Sequence, residues 1–312
     1  YTEAFFPELV YVRPQGQIEK RDSLEGSAFI DFPVDQTMIY PDYRRNIAEL
    51  GKIQSSIDSV RNDTDITITS VWLKGYASPE GSYAHNKELA IGRTAALKRY
   101  IQQLYRFEGD VISTDYEPED WAGLRYYVER SNLAHRAEIV TLIDGNLEPD
   151  AREWKIKRDY PMEYSFLLQN CYPALRHTDY RIAYTIRSYS DVEEIKRIMC
   201  GRPQKLDLNE FYLAAQEYEP GTDEFTEVFE TAVRMFPDDT IANLNAANAA
   251  MRRGDLTSAK RYLAKADDSP EAVYARGALA IRQKDYDSAR RYLNEAKSLG
   301  LEQAGITLEQ LE

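Results

Sequence analysis

One stretch, residues 66–104, constrains the fold more than any other part of the chain. It runs from an apolar, strand-like segment at 66–73 through a turn with Pro79 and Gly81 into a long helical pattern. The apolar residues of that pattern recur at steps of three and four, which predicts an amphipathic helix. They are Leu89, Leu97, Tyr100, Ile101 and Leu104. A strand, a tight turn and a helix are therefore expected in immediate succession.

Arg93 lies one turn of this helix from both Leu89 and Leu97, so its side chain points the same way as the apolar residues. A guanidinium on the inner side of a helix needs an anion or several carbonyls, because burying it unpaired is costly. Two interpretations follow. Arg93 binds an external anion, or it pairs internally with a carboxylate such as Asp31 or Glu80 and binds no ligand.

The turn and the helix resemble the OmpA-like domain, a periplasmic module with which many outer-membrane proteins hold peptidoglycan. The matching positions are Gly75, Gly81, Asn86, Leu89 and Arg93. The resemblance covers about one strand, one turn and one helix. It implies that Arg93 holds the carboxylate of diaminopimelate in a peptide stem. It also implies an Asp that holds the amine, but Ser78 stands at that position here.

The departure at Ser78 leaves the expected ligand site half complete. A zwitterionic end needs one anion and one bidentate cation, and the free N–H groups at a helix start add donors beside them. Arg93 supplies the cation, whereas a serine hydroxyl carries no charge. Glu80, in the same turn, is the candidate replacement for the missing carboxylate. Asn86 completes the residues that the resemblance assigns to the ligand.

The surrounding elements predict an α+β fold in the order β-α-β-α-β, helical insertion, β, with helices on a mixed sheet. Strands are expected at residues 27–32, 66–73, 110–116 and 180–187. The last of them alternates apolar and polar residues, as a half-buried strand does. We therefore expect an OmpA-like domain at 27–189, with an insertion at about 117–177. A segment that contains a strand, residues 1–26, precedes it.

Residues 190–312 change to a linker helix followed by alanine-rich helical patterns with an internal repeat. The run Gly254-Asp-Leu recurs as Lys284-Asp-Tyr, and Tyr262-Leu263 recurs as Tyr292-Leu293. The pattern resembles tetratricopeptide repeats, of which about three units fit, with a shortened helix expected in the second interval. Stacked helix pairs of this kind share a continuous core and leave one concave face free.

The first helix of one predicted pair carries Asn243, Asn245, Asn248 and Arg252. Asparagine is a poor helix former, so three within six residues need a reason. Amide side chains pair well with the N–H and C=O groups of an extended peptide. We expect Asn245, Asn248 and Arg252 to line a groove for a partner's peptide segment, with Asn243 further round the helix. The alternative is that they cover a solvated helix.

Composition narrows the possible functions. A net charge of -13 over 312 residues argues against nucleic acid as a partner, because phosphates require a basic face. The three histidines lack zinc or triad spacing, and Ser78 lacks the glycines of a nucleophile elbow. No enzyme activity, cofactor or metal is therefore expected. The acidic run from Asp115 to Asp120 is expected to be a solvated loop.

Two further features concern the compartment. The chain begins at Tyr1 rather than Met, so we expect a processed product from which any signal peptide has been removed. Cys171 and Cys200 either pair in an oxidising periplasm or remain as buried thiols.

The domain order resembles envelope proteins of the Bacteroidetes type, in which an OmpA-like domain with a Ser-Pro-Glu-Gly loop precedes tetratricopeptide repeats. Several of those proteins are associated with fimbrial or surface assembly. The resemblance implies a non-enzymatic periplasmic protein, associated with the outer membrane, that links peptidoglycan or a fimbrial assembly to a protein partner. The alternative is a protein-binding scaffold whose OmpA-like domain has lost peptidoglycan binding, because Ser78 replaces the Asp.

Overall fold

A computed structural model of the protein describes residues 5–17 and 19–312. The chain forms two compact units, which we call the sheet unit (residues 21–187) and the helical unit (residues 188–312 with the described part of 1–20). Over the described residues the fold is α+β and mostly helical, with fifteen α-helices and one mixed sheet of four strands. None of these helices combines the length and the apolar character needed to cross a membrane.

The sheet unit has the predicted order of elements, with the helical insertion between the third and fourth strands. Its strands are β1 (Lys20–Ala28), β2 (Ile66–Tyr76), β3 (Ile112–Glu117) and β4 (Thr178–Ile186). Its helices are α1 (Asn46–Arg61), α2 (Tyr83–Tyr105), α3 (Trp121–Arg130), α4 (Arg136–Asp144), α5 (Pro149–Asp159), α6 (Pro161–Asn170) and α7 (Tyr172–Leu175).

The prediction of the first strand at residues 27–32 was wrong, because β1 ends at Ala28. The next backbone N–H groups bond to side chains of α1 instead of to a neighbouring strand. Phe29 N donates to Glu49 Oε2 at 3.1 Å, and Asp31 N donates to Asn46 Oδ1 at 2.8 Å. These side chains satisfy the backbone donors that a strand would otherwise have paired.

The sheet order is β1-β4-β2-β3. Strands β2 and β3 are parallel, with Tyr76 opposite Glu117 at their ends. Strands β2 and β4 are antiparallel, with Gly75 opposite Thr178. The end of β2, the end of β3 and the start of β4 therefore meet at one edge of the sheet. The segments that follow β2 and β3, and the segment that precedes β4, are brought together there.

Helices α1 and α2 pack on the sheet around Val71, Leu73 and Ile182. Leu97 and Ile101 of α2 are buried as predicted, but Leu104 is 49% exposed. Tyr105 takes the next inward position, and its hydroxyl donates to Asp58 Oδ1 of α1 at 2.9 Å. The last buried position of α2 therefore lies four residues after Ile101, at Tyr105, whereas the sequence pattern predicts it three residues after Ile101, at Leu104.

The inserted helices α3 to α7 form a hydrophobic core of their own. Its fully buried members come from all five helices: Leu124, Val128, Ile139, Ile156, Leu167 and Tyr172. Cys171 is buried in the same core as a free thiol, and Cys200 is an exposed free thiol in the helical unit. The disulfide alternative is therefore contradicted, and so is the prediction that both thiols are buried.

The helical unit contains eight α-helices over its described residues. They are α8 (Val192–Gly201), α9 (Leu208–Ala215), α10 (Asp223–Met235), α11 (Thr240–Arg253), α12 (Leu256–Leu263), α13 (Pro270–Arg282), α14 (Tyr286–Ser298) and α15 (Glu302–Leu311). A short 3₁₀ helix, Pro203–Lys205, lies between α8 and α9. Helix α12 has eight residues, against fourteen in α11, with which it pairs. The sequence predicts a shortened helix in this interval. Residues 5–17 contain no strand, so the prediction of an N-terminal strand at the apolar run 9–12 was wrong.

Candidate functional site

The first candidate site lies where β2 passes through a turn into α2. Gly75 makes a close approach possible, because a Cβ at this position would overlap Thr94 Oγ1 of α2. The helix begins at its cap residue Ser82, whose hydroxyl accepts a hydrogen bond from His85 N at 3.2 Å. Arg93, next to Thr94, is thereby held beside the segment that follows β1.

A cavity of about 750 Å³, which we call the arginine cavity, opens at this place. Its lining carries more positive than negative side chains, although the whole chain has a net charge of -13. The charged residues are Arg44, Arg45, Arg93 and Arg176 against Asp31, Asp35 and Glu80. The cavity therefore favours an anion over a cation.

Arg93 lies half-buried in the wall of this cavity. Its Nε donates to Gln36 O at 3.1 Å, and its guanidinium lies 4.9 Å from the centre of the Phe32 ring. Burial lowers the pKa of Arg93, and the nearby charge of Arg176 lowers it further. Among the described residues Arg93 forms no ion pair, so neither Asp31 nor Glu80 is its internal partner.

Ser78 and Glu80 both bind Arg176, which lies between α7 and β4. Arg176 Nε donates to Ser78 Oγ at 3.0 Å, and its terminal nitrogen Nη2 forms an ion pair with Glu80 Oε2 at 3.0 Å. The position where the OmpA-like resemblance requires a carboxylate therefore holds a hydroxyl bound to a second guanidinium. We did not predict Arg176, because no local pattern connects it with a turn almost one hundred residues earlier.

Asn86 is buried and uses its amide to hold the turn. Its Nδ2 donates to Ser78 O at 3.1 Å, to Glu80 O at 2.9 Å and to Glu119 Oε2 at 2.8 Å. These contacts fix the loop in front of α2. Asn86 also lines the arginine cavity, and its hydrogen bonds make it a positioning residue for the turn.

The prediction of a solvated acidic loop was wrong for Glu119 and Asp120, which are both buried. Burial raises the pKa of Glu119 to about 7, although it accepts hydrogen bonds from Asn86 and from Trp121 Nε1. Asp120 caps α3 by accepting from Gly123 N at 3.0 Å. Sequence analysis could have found this cap, because Asp is a preferred residue before the first turn of a helix.

His177 lies beside this network, between two carboxylates. Its Nε2 is 2.9 Å from Asp120 Oδ2, its Nδ1 is 2.8 Å from Asp179 Oδ1, and its ring stacks on Tyr76. Burial alone lowers the pKa of His177, but the two carboxylates raise it to about 9. Among the described residues no group of three histidine, cysteine or carboxylate side chains is arranged to hold a metal ion.

The second candidate site is the face of the helical unit on which Asn245 and Asn248 lie. Both side chains are buried, and both bind the backbone of the chain's own N-terminal segment, residues 5–17. We call the surface formed by Asn245, Asn248 and Tyr274 the strand groove. Arg252 lies at one end of it, in the wall of a cavity of about 320 Å³. A partner's peptide in this groove stays a prediction, and the groove is occupied here by the chain itself.

Asn243 has a different role from its two neighbours, as its position further round the helix indicates. Its Nδ2 donates to Pro237 O at 3.0 Å and to Asp239 O at 2.8 Å. Both acceptors lie at or before the start of α11. Asn243 therefore stabilises the entry into its own helix.

No protein-family model and no curated protein matches this chain. The family resemblance of residues 66–104 therefore stays a prediction, and the function must be inferred from the arginine cavity and the strand groove.

Proposed function

We propose that this protein is a non-enzymatic component of a bacterial cell envelope, located in the periplasm and associated with the outer membrane. In this proposal the sheet unit is an OmpA-like module that binds an anionic group of peptidoglycan, or of a fimbrial or outer-membrane assembly. The helical unit, with tetratricopeptide-like pairs, binds a protein partner.

The observation that carries the proposal is the state of Arg93. A guanidinium has five N–H donors, and the Nε of Arg93 uses one of them on a backbone carbonyl. The remaining donors lie in the wall of the arginine cavity without a carboxylate partner among the described residues. A bidentate carboxylate is the group that such a fork binds best. The free carboxylate of a peptide stem has this chemistry.

A second candidate function is a protein-binding scaffold whose sheet unit has no wall ligand. The contacts of Arg176 favour it, because they occupy both Ser78 Oγ and the Glu80 carboxylate. The amine of a zwitterionic stem would then find no free anion at the turn. Binding through Arg93 alone is expected to be weak.

Sedimentation with isolated peptidoglycan sacculi tests the proposal. We expect weak retention of the wild-type chain and loss of retention in Arg93→Ala, because one charge-assisted bidentate contact is worth about tenfold to a hundredfold in affinity. Arg99→Ala is the matched control, because Arg99 is an exposed arginine of the same helix. Equal retention of Arg93→Ala and Arg99→Ala would contradict the proposed role of Arg93.

The double variant Ser78→Asp/Arg176→Gln distinguishes the two candidate functions. It restores a carboxylate at the turn and removes the cation that would neutralise it. We expect this variant to be retained more strongly than the wild-type chain. If neither the wild-type chain nor the double variant is retained, the result would favour the protein-binding scaffold without a wall ligand.

A further inference from the structure

The strand groove holds the N-terminal segment through its backbone. Asn245 Oδ1 accepts from Val12 N at 2.9 Å, and Asn245 Nδ2 donates to Val12 O at 2.8 Å. Asn248 Nδ2 donates to Val10 O at 2.8 Å, and the Tyr274 hydroxyl donates to Glu8 O. The bound carbonyls belong to residues 8, 10 and 12, which is the period of an extended strand. Contacts of this kind recognise an extended conformation and leave the sequence of the ligand largely free.

The groove selects for the side chain at the position of Tyr11. The ring of Tyr11 stacks on Phe229 at 5.4 Å between centroids and meets Phe225 edge-on at 5.1 Å. Leu9 and Val12 pack on one apolar cluster of the unit, and Val10 packs on another. The groove therefore fits an aromatic residue between aliphatic neighbours.

The N-terminal segment fits the other end of the groove less well. The cavity of about 320 Å³ remains there between Phe6, Pro7 and Leu9 on the segment and Arg252 and Arg282 on the helices. Burial lowers the pKa of Arg282, and Arg252 lowers it further. Over the described residues neither arginine has a carboxylate partner, and the guanidinium of Arg282 lies 4.5 Å from the centre of the Phe6 ring. An acidic side chain at this place would meet two unpaired cations.

We infer that the strand groove is a peptide-binding site whose occupant in this structure, residues 5–17, is displaced by a strand from a partner protein. The partner strand carries an acidic residue at the position of Phe6 and an aromatic residue, flanked by aliphatic residues, at the position of Tyr11. This inference extends the partner-binding half of the proposed function. It does not involve the arginine cavity, so the sacculus experiment and the peptide experiment fail independently.

A fluorescently labelled peptide of residues 5–17, titrated into the full chain, tests the displacement by fluorescence anisotropy. A tethered segment competes at an effective concentration of about millimolar, so the wild-type chain should bind the peptide weakly. Tyr11→Ala in the full chain weakens the tethered competitor. We expect it to bind the wild-type peptide at least about tenfold more tightly than the wild-type chain does.

Variants of the receptor and of the peptide test the mode of binding. In the Tyr11→Ala chain, Asn245→Ala with Asn248→Ala should lower the affinity at least about tenfold, because several backbone hydrogen bonds are lost. Asn294→Ala, at an exposed position of α14, is the matched control. N-methylation of the peptide at Val12 should abolish binding. Glu8→Ala in the peptide should have no effect, because the exposed Glu8 binds the groove through its carbonyl.

The acidic preference is tested with the peptide that carries Phe6→Glu. It should bind about threefold to tenfold more tightly than the peptide of the native sequence, and this gain should disappear in Arg282→Gln. Equal or weaker binding of the Phe6→Glu peptide would overturn the assignment of an acidic ligand.

Three outcomes would overturn the displacement itself. Equal affinity of the peptide for the wild-type and Tyr11→Ala chains would make the segment a fixed part of the fold. Undiminished binding by the asparagine variant would place the peptide elsewhere. A dimer of the wild-type chain that disappears in Asn245→Ala would identify a second copy as the occupant.

Hydrogen exchange keeps the inference testable if Tyr11→Ala does not fold. Excess peptide added to the wild-type chain should then accelerate exchange of the Val12 amide, which Asn245 protects in this structure. An unchanged exchange rate would overturn the inference.

Discussion

At the scale of single residues, the Glu119 carboxyl near the arginine cavity is strongly perturbed by its burial. It is 2% exposed and accepts from the amide that holds the backbone of Ser78 and Glu80. The charge state of Glu119 is therefore coupled, through Asn86, to the conformation of the turn at residues 78–80. Because burial raises its pKa from 4.5 to about 7, the folded chain binds this proton more tightly than the unfolded chain.

The first prediction concerns pH. A carboxyl with a raised folded pKa contributes most to stability below pH 4.5, and its contribution falls as pH rises to about 7. The expected loss is about 3 kcal/mol. His177, with a pKa raised from 6.5 to about 9, adds a second loss between those pH values.

Urea denaturation at pH 4.5, 7 and 9 measures both losses. Glu119→Gln should remove the loss between pH 4.5 and 7 and leave the loss above 6.5 unchanged. Glu117→Gln, at an exposed glutamate two residues away, is the control and should show both losses of stability. If the free energy of unfolding of Glu119→Gln falls between pH 4.5 and 7 as much as that of the wild-type chain, another group is responsible for the loss.

At the scale of elements, the two best-matched helix pairs turn at equivalent positions with different residues. Gly254 connects α11 to α12 with φ of 86°, and Lys284 connects α13 to α14 with φ of 62°. Asp255 and Asp285 follow them and cap the next helices through Ser258 N and Ser288 N. The left-handed conformation is inexpensive for glycine and costs other residues about 1 kcal/mol.

Exchanging these residues should change stability in opposite directions. Lys284→Gly should raise the free energy of unfolding of the helical unit by about 0.5–1 kcal/mol, because it relieves the left-handed strain. Gly254→Lys should lower it by about 1 kcal/mol, since the added Cβ meets only the end of Arg282 at 3.9 Å. Thermal denaturation of both variants checks this. A destabilised Lys284→Gly would mean that the lysine side chain stabilises the turn.

At the scale of the whole molecule, residues from both ends of the chain build the helical unit. Lys20 Nζ donates to Glu210 Oε1 and to Lys205 O, both at 2.9 Å, and Lys20 and Glu210 are both buried. Glu210 also accepts from Tyr189 N at 2.6 Å and completes the capping box of α9 with Asp207. One carboxylate thus connects three separate parts of the chain.

Removing the cation should therefore be costly. Lys20→Met leaves a buried carboxylate without a counter-charge, and we expect a loss of about 3–5 kcal/mol in the urea-denaturation free energy. Lys196→Met is the control, because Lys196 pairs with the largely exposed Glu193 and should cost less than about 1 kcal/mol. Adding Glu210→Gln to Lys20→Met should recover part of the loss. Equal losses of unfolding free energy in Lys20→Met and Lys196→Met would contradict the prediction that burial makes the Lys20–Glu210 pair costly to break.

The sequence predicted the order of the sheet unit, the long helix α2 and the helix pairs, because side-chain periods and turn residues are local signals. The asparagines of α11 were expected to grip an extended backbone, and Asn245 and Asn248 do hold one. That backbone belongs to residues 10 and 12 of the same chain. Periodicity in α11 contains no information about which segment fills its groove.

The sequence by itself determined which stretches become helices and strands and which helix faces are apolar. Only the tertiary structure decided that Glu119 and Asp120 are buried beside the partly buried His177, and that Arg176 donates to the Ser78 hydroxyl. The reason is physical. The parallel pairing of β2 with β3 and the antiparallel pairing of β2 with β4 bring three distant segments to one edge of the sheet. The burial and partners of a charged side chain depend on such long-range proximity, which a single sequence does not encode locally.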